Sequence, residues 1–434
     1  MRLSPEFLRN FWLEMSVHRL LMMPVALVLM FYIAFSVGDW SALHYTSLMI
    51  YIVLTMLWGV RLAGESLIDE ISNRTWDQQR MGAISPWQMS WGKLFGSTVY
   101  IWYGAMLILP LFMVSGLING EPMLLSKLLL LLSGAVLMQS LALLISLVMV
   151  RRQGSHRRNL STLALLAALF FISSLAPFYD EYFNQITWYG LSMSQLAFFT
   201  MSSLVFCGWG LVGLQRTMAE ELQFRHRPLV WLAFMLFLIF YVMGFSPLDR
   251  ESGLTLNISG AFLIALLLCY GMILIERKDP LEVRRFQVTW RQQGWYDALV
   301  HVPCWLVSLI VVLILGGAVQ LVDASSVSVL EALLSFDQLV LLLLLFLLRD
   351  IGVFIYFNLA KKHLRADATA MVYLALLYLL LPALFGVVGA TTLNNLLLPV
   401  ATSSSMLTAL SGVAQCGLLG WLIYQRWVSL RKAS

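Results

Sequence analysis

Charged residues that could do chemistry are few in this chain, and they are unevenly placed. From Glu65 to Phe95 the sequence reads ESLIDEISNRTWDQQRMGAISPWQMSWGKLF, and Glu65, Asp69, Glu70, Arg74, Asp77 and Arg80 crowd its first half. Leu67, Ile68 and Ile71 recur among them at helical spacing, so one face is apolar and the other charged. That pattern suits a handle for another protein better than a catalytic pocket. The histidines (His18, His44, His156, His226, His301 and His363) are scattered, with no pair at metal-ligand spacing. Neither a Gly-x-Ser-x-Gly elbow nor a glutamate-histidine zinc motif is found. Gly92-Lys93 lacks the glycine five residues earlier that a phosphate-binding loop requires, so the chain is not expected to hydrolyse ATP alone. No enzyme activity, no metal and no cofactor is expected in the chain itself. Arg349 and Asp350 are the charges set deepest in an apolar run. A charge at the centre of a membrane helix costs about 2.5–3.5 kcal/mol on insertion scales, so both should face a bundle interior and be paired. Two roles stay open for them: part of a substrate path or proton relay, or an ion-pair lock between spans.

The elements that must position these residues are set by composition. Of 434 residues, 60% are hydrophobic and 12% charged, and the mean hydropathy is +0.82. A soluble domain cannot hide that much apolar surface, so an all-α polytopic membrane protein is expected. Cys207, Cys269, Cys304 and Cys416 all fall in or beside apolar runs and read as small buried hydrophobes. Residues 2–19 carry Glu6, Arg9, Glu14 and Arg19 before the first long apolar run, which fits an interfacial helix and not a cleavable signal.

Apolar runs suggest spans at 20–37, 43–64, 94–118, 124–150, 160–178, 191–214, 229–246, 256–275, 300–322, 336–358, 368–391 and 396–424, which is about 12 crossings. With both termini in the cytosol, the inner connections hold most of the basic residues, among them Arg151, Arg152, Arg157, Arg158, Arg277, Lys278, Lys361 and Lys362. Outer connections carry Asp39, Glu121, Asp180, Asp249 and Asp323, and among basic residues only Arg250 there and Lys127, at the outer end of its span, fall on that side. This is the positive-inside distribution. It also turns the net charge of +5 toward lipid headgroups and away from nucleic acid. The domain plan is a first half over 1–215 with a polar segment at 65–93, a linker at 216–228, and a second half over 229–434 with a polar segment at 276–299.

Thr75-Trp76-Asp77-Gln78-Gln79 recurs as Thr289-Trp290-Arg291-Gln292-Gln293, 214 positions later. The same shift lays the first four spans on spans seven to ten, so two parallel six-span repeats are expected. Arg74-Thr75-Trp76-Asp77, then Ser85-Pro86, then Gly92-Lys93-Leu94 resembles the intracellular segment of ABC type-2 exporter permeases. Ala176-Pro177-Phe178-Tyr179 through Trp188-Tyr189 is similar to the outer re-entrant segment of that family. The second half departs, keeping Thr289-Trp290 without Ser-Pro or Gly-Lys-Leu.

The resemblance implies a permease in the bacterial inner membrane. It would be driven by ABC ATPase subunits, one chain pairing with two of them, that bring ATP and Mg, with room for further membrane or periplasmic subunits. It also implies ATPase contacts at Glu65, Asp69, Glu70, Arg74, Thr75, Trp76, Asp77 and Arg80. In the second half they would fall at Glu282, Arg284, Arg285, Thr289 and Trp290. Few polar side chains lie mid-span, which favours a hydrophobic or amphipathic cargo, and the resemblance implies that it is exported. Two rival readings are an ion-coupled secondary carrier of the same topology and a non-transporting membrane scaffold.

Overall fold

A computed structural model describes residues 4–72, 75–82, 84–152, 185–245, 251–276, 278, 280–323, 334–359, 366–390, 393–399 and 405–432. Arg74, the expected span at 160–178 and the aromatic stretch 176–179 lie outside the described residues. Helices dominate, and among the described residues nine helical segments are long and apolar enough to cross a membrane. The protein is therefore a membrane-embedded helical protein. It packs as two compact units, residues 1–186 with 192–225, and residues 187–191 with 226–434.

In the first unit, α1 (Pro5–Glu14) starts where Ser4 Oγ accepts from the Phe7 amide and Pro5 takes the first turn. The chain continues as α2 (Val17–Ile52), a π-helical turn (Val53–Trp58) and α3 (Gly59–Ser72). The helical run Val17–Ile71 counts 55 residues. Straight, it would measure about 80 Å, against a hydrocarbon core of about 30 Å. It breaks at Gly38 (φ −151°, ψ 28°) and Asp39 (φ 55°, ψ −148°).

Contacts with α6 (Val99–Ile118) give the direction of each leg. Tyr103 Oη donates to Leu20 O at 3.1 Å and Asn119 Nδ2 to Trp40 O at 3.0 Å, so the first leg runs alongside α6. The His44 ring then stacks on Phe112 with centroids 4.6 Å apart, and Leu54 packs at Gly104, so the second leg runs back. The run is a helical hairpin, with its bend in the connection where the sequence places Asp39.

The π turn has a local cause. Its widened ladder lets Thr55 O accept from Gln139 Nε2 at 3.0 Å, and Trp102 Nε1 donates to Gln139 Oε1 at 3.1 Å. A Cβ on Gly59 would stand 2.5 Å from Gln139 Nε2, so glycine admits the amide.

Beyond α3 come α4 (Trp76–Arg80), α5 (Pro86–Gly96) and α7 (Leu124–Arg152). The segment Glu65–Arg80, expected as one amphipathic helix, is instead two. Glu65 to Ser72 extends the returning leg, and the chain then folds so that the Thr75 amide and hydroxyl both donate to Glu70 O, at 3.0 and 3.2 Å. A capping box opens α5, with Ser85 and Gln88 bonding reciprocally. A short β-hairpin, β1 (Gln185–Trp188) and β2 (Leu191–Ser194), interrupts the otherwise helical chain, and its residues 187–191 count with the second unit. It turns through Tyr189 (φ 49°) and Gly190 (φ 76°), the positive pair that a two-residue hairpin turn needs. Ser194 then caps α8 (Gln195–Glu221). Tyr51, Ile101, Ile108, Phe112 and Leu131 centre the core of this unit.

The second unit holds α9 (Leu229–Met243), α10 (Glu251–Ile275), α11 (Pro280–Gln293), α12 (Trp295–Ala298), α13 (Cys304–Asp323) and α14 (Leu334–Asn358). Then follow α15 (Ala366–Ala375), a π turn (Leu376–Leu380), α16 (Leu381–Val387), α17 (Asn394–Leu397) and α18 (Ser405–Lys432). Phe262, Cys269, Val312, Leu347 and Phe354 lie in its core. Glu276 fixes the start of α13, its two carboxylate oxygens accepting from the Cys304 and Trp305 amides at 3.0 Å each. A carboxylate there meets both orphan donors and the positive end of the helix.

Candidate functional site

At the end of the first unit away from Asp39, α1, α3, α4 and α5 close around one lysine. Gly92 and Gly96 lie a turn apart on α5, and a Cβ on either would stand 2.8 Å from Glu6 Cβ or 2.9 Å from Asn10 Cβ. These glycines let α1 seat directly on α5, the close approach that small residues four apart permit between membrane helices. Lys93, between them, is 1% exposed along its side chain. Its Nζ donates to Glu70 and, at 2.9 Å, to Gln79 Oε1. It lies 3.5 Å from Glu6 Oε1 and 4.9 Å from the Trp76 ring centroid. Arg9 bonds Glu6 Oε1 at 2.8 Å and also reaches Glu70. Two cations thus meet two carboxylates, which offsets the several kcal/mol that each buried ion loses in hydration.

The residues expected to meet an ATPase therefore divide. Glu70 and Trp76 face inward, as ion partner and as ring beneath Lys93, and Thr75 folds back on Glu70. Glu65 pairs with Arg61 at 2.9 Å, while Asp69 sits exposed one turn on. Arg80 donates from Nε to Glu221 O at 3.1 Å. Asp77 (side chain 82% exposed) and Met81 (81%) stand out at the tip. Trp87, Trp91 and Phe95 stack along α5 toward Trp102, an aromatic strip of the kind found at membrane interfaces.

The second polar segment repeats the five-residue stretch at 75–79 at four positions, with Arg291 in place of Asp77, and has a different structure. Thr289 and Trp290 lie within the continuous α11, and Trp290 is 55% exposed, edge-on to Phe286. The reason is visible in register. A shift of 214 places Arg284 opposite Glu70 and Val307 opposite Lys93, so the ion pair beside Trp76 has no counterpart beside Trp290 at these positions. Glu282 instead accepts from Arg285 at 3.0 Å and faces His301 Nδ1 at 3.1 Å.

Arg349 and Asp350 are both buried in α14. The guanidinium binds Asp350 Oδ1 through Nε and Nη2, at 2.9 and 2.8 Å. Its Nη1 donates to Leu397 O at 3.2 Å and Gln415 Oε1 at 3.1 Å. Asp350 Oδ2 accepts from Tyr270 and Tyr378, both at 2.8 Å. Gln415 and Ser411 on α18 donate to Leu396 O at 2.7 and 2.8 Å. The short helix α17 ends alongside the span α18, where water is scarce, and its terminal carbonyls need donors. Arg349, Ser411 and Gln415 supply them. The pair thus joins α10, α14, the second π turn, α17 and α18. Tyr270, Tyr378 and Gln415 escape sequence reading because their spacing along the chain says nothing of a shared partner. Lys93 carries a signal that was legible, a lone cation between two glycines in an apolar stretch.

Compared with protein families, with characterised proteins and with solved structures, the chain gives no match in any of the three.

Proposed function

We propose that this chain is the membrane-spanning subunit of an ATP-driven transporter, similar in plan to the ABC type-2 exporters and seated in a bacterial inner membrane. Separate ATPase subunits bind ATP and Mg and drive it. On this reading about 12 crossings form two parallel halves with both termini in the cytosol. The cargo is hydrophobic or amphipathic.

One observation carries the reading. The exposed tip at Asp77 and Met81 stands on a base held by the buried Lys93 cluster, so a push on the tip passes to α1, α3 and α5 together. An apolar side chain amid polar neighbours is the kind of anchor that fills a partner's groove. Affinity purification of the full chain from its native membranes should bring down a polypeptide bearing a phosphate-binding loop. Met81→Asp and Asp77→Lys should cut its yield severalfold, since neither side chain is part of the buried cluster. Undiminished recovery would remove the docking model.

The Asp350 cluster favours one second reading, an ion-coupled carrier, because buried carboxylates within spans mark proton or ion paths. Transport that persists without ATP and collapses with the proton gradient decides for that reading.

A further inference from the structure

The second polar segment contains a cleft that the docking model leaves unused. It measures about 340 Å³ and is lined by Arg284, Arg285, Val288, Thr289 and His301. Arg284 and Val288 lie four apart on α11, as do Arg285 and Thr289, so two adjacent rows of the helix face the cleft. Arg284 is exposed and makes no ion pair among the described residues. Arg285 and His301 share Glu282. Two guanidinium groups against one carboxylate leave positive charge in excess, beside a hydroxyl and an imidazole. That set matches an oxyanion. Arginine forks suit phosphate oxygens, and Thr289 offers a further donor.

Depth is given by the aromatics nearby. Trp290, Trp295 and Tyr296 are each at least half exposed, the placement of rings at the headgroup level of a bilayer. Val288 supplies the cleft's apolar wall.

We infer that this cleft binds the phosphate headgroup of an anionic phospholipid. The site is independent of whether an ATPase grips the first unit. It gives the two polar segments separate tasks, a protein handle in the first unit and a lipid hold in the second.

The test uses the full chain in nanodiscs of phosphatidylcholine doped with phosphatidylglycerol, with the lipid that stays bound after detergent extraction measured by mass spectrometry. A headgroup cation is worth on the order of 1 kcal/mol, about fivefold in occupancy. Arg284→Gln should lower retained phosphatidylglycerol by about fivefold, without loss of fold, since its side chain is exposed. Arg291→Gln, on the same helix but outside the cleft, should leave retention near the wild type. Equal losses in both variants, or no loss in Arg284→Gln, would overturn the site in favour of diffuse surface charge. Inorganic phosphate, matched in ionic strength with chloride, should not release the lipid. If it does, the ligand is a soluble phosphate and the lipid assignment fails.

Discussion

Lys93 shows how much can depend on one side chain. Its ammonium is shared by Glu70 and Gln79, lies near Glu6, and rests over Trp76. Removing one member of a buried ion pair leaves its partner's charge stranded, which costs about 3–5 kcal/mol, whereas removing both is often close to neutral. Lys93→Met should therefore lower the thermal unfolding midpoint in detergent markedly, and the double variant Lys93→Met with Glu70→Met should recover much of the loss. A double variant as unstable as the sum of the two singles would mean that the pair is not coupled. The same logic explains why Glu70 is a poor probe of docking. Its loss would disturb the base of the knob, while Asp77 and Met81 test the tip alone. From the sequence, Glu65 through Arg80 reads as one charged face, and nothing in helical spacing separates Glu70 from Asp77. The separation comes from Lys93 and Arg9, which reach Glu70 from α5 and α1.

At the scale of elements, what is local was legible and what is tertiary was not. Ser4-Pro5 and Ser85-Pro86-Gln88 state their helix starts within four residues, and both caps form. The fold of α3 into α4 depends on Thr75 meeting Glu70 O and on Trp76 finding Lys93, which no periodicity records. The hairpin at 185–194 has a local signal, since Ile186, Thr187 and Trp188 favour strand and Tyr189-Gly190 can turn, but the long apolar run that follows it carries the stronger helical pattern. Gly92 was visible as part of a motif, and only the structure shows that it and Gly96 accept α1. Adding bulk there forces α1 away, and overpacking typically costs about 1–3 kcal/mol. Gly92→Val should abolish hydrogen-exchange protection over residues 5–14 and leave α6 and α7 amides as they are. Continued protection of α1 would show that its seat does not depend on the glycines.

For the whole molecule, the first unit turns on whether the helical run Val17–Ile71 crosses once or twice. Its length of 55 residues exceeds any single crossing, and a helix of about 80 Å would leave long apolar stretches in water. The exposed apolar side chains on both legs, Val25, Val28 and Leu29 on one and Met49 and Val53 on the other, argue that both lie in lipid. Contacts along α6 then require the legs to run in opposite directions, so Val17 and Met81 share a side and Ser41 faces the other. On a background with Cys207, Cys269, Cys304 and Cys416 replaced, single cysteines at Val17, Ser41 and Met81 can be labelled with a membrane-impermeant maleimide. Ser41→Cys should react in intact cells, and Val17→Cys and Met81→Cys only in inverted vesicles. If Ser41 and Met81 report the same side, the hairpin is wrong. If all three report the reverse, the hairpin stands but the tip at Met81 faces away from ATP, and an ATP-driven reading of the chain goes with it.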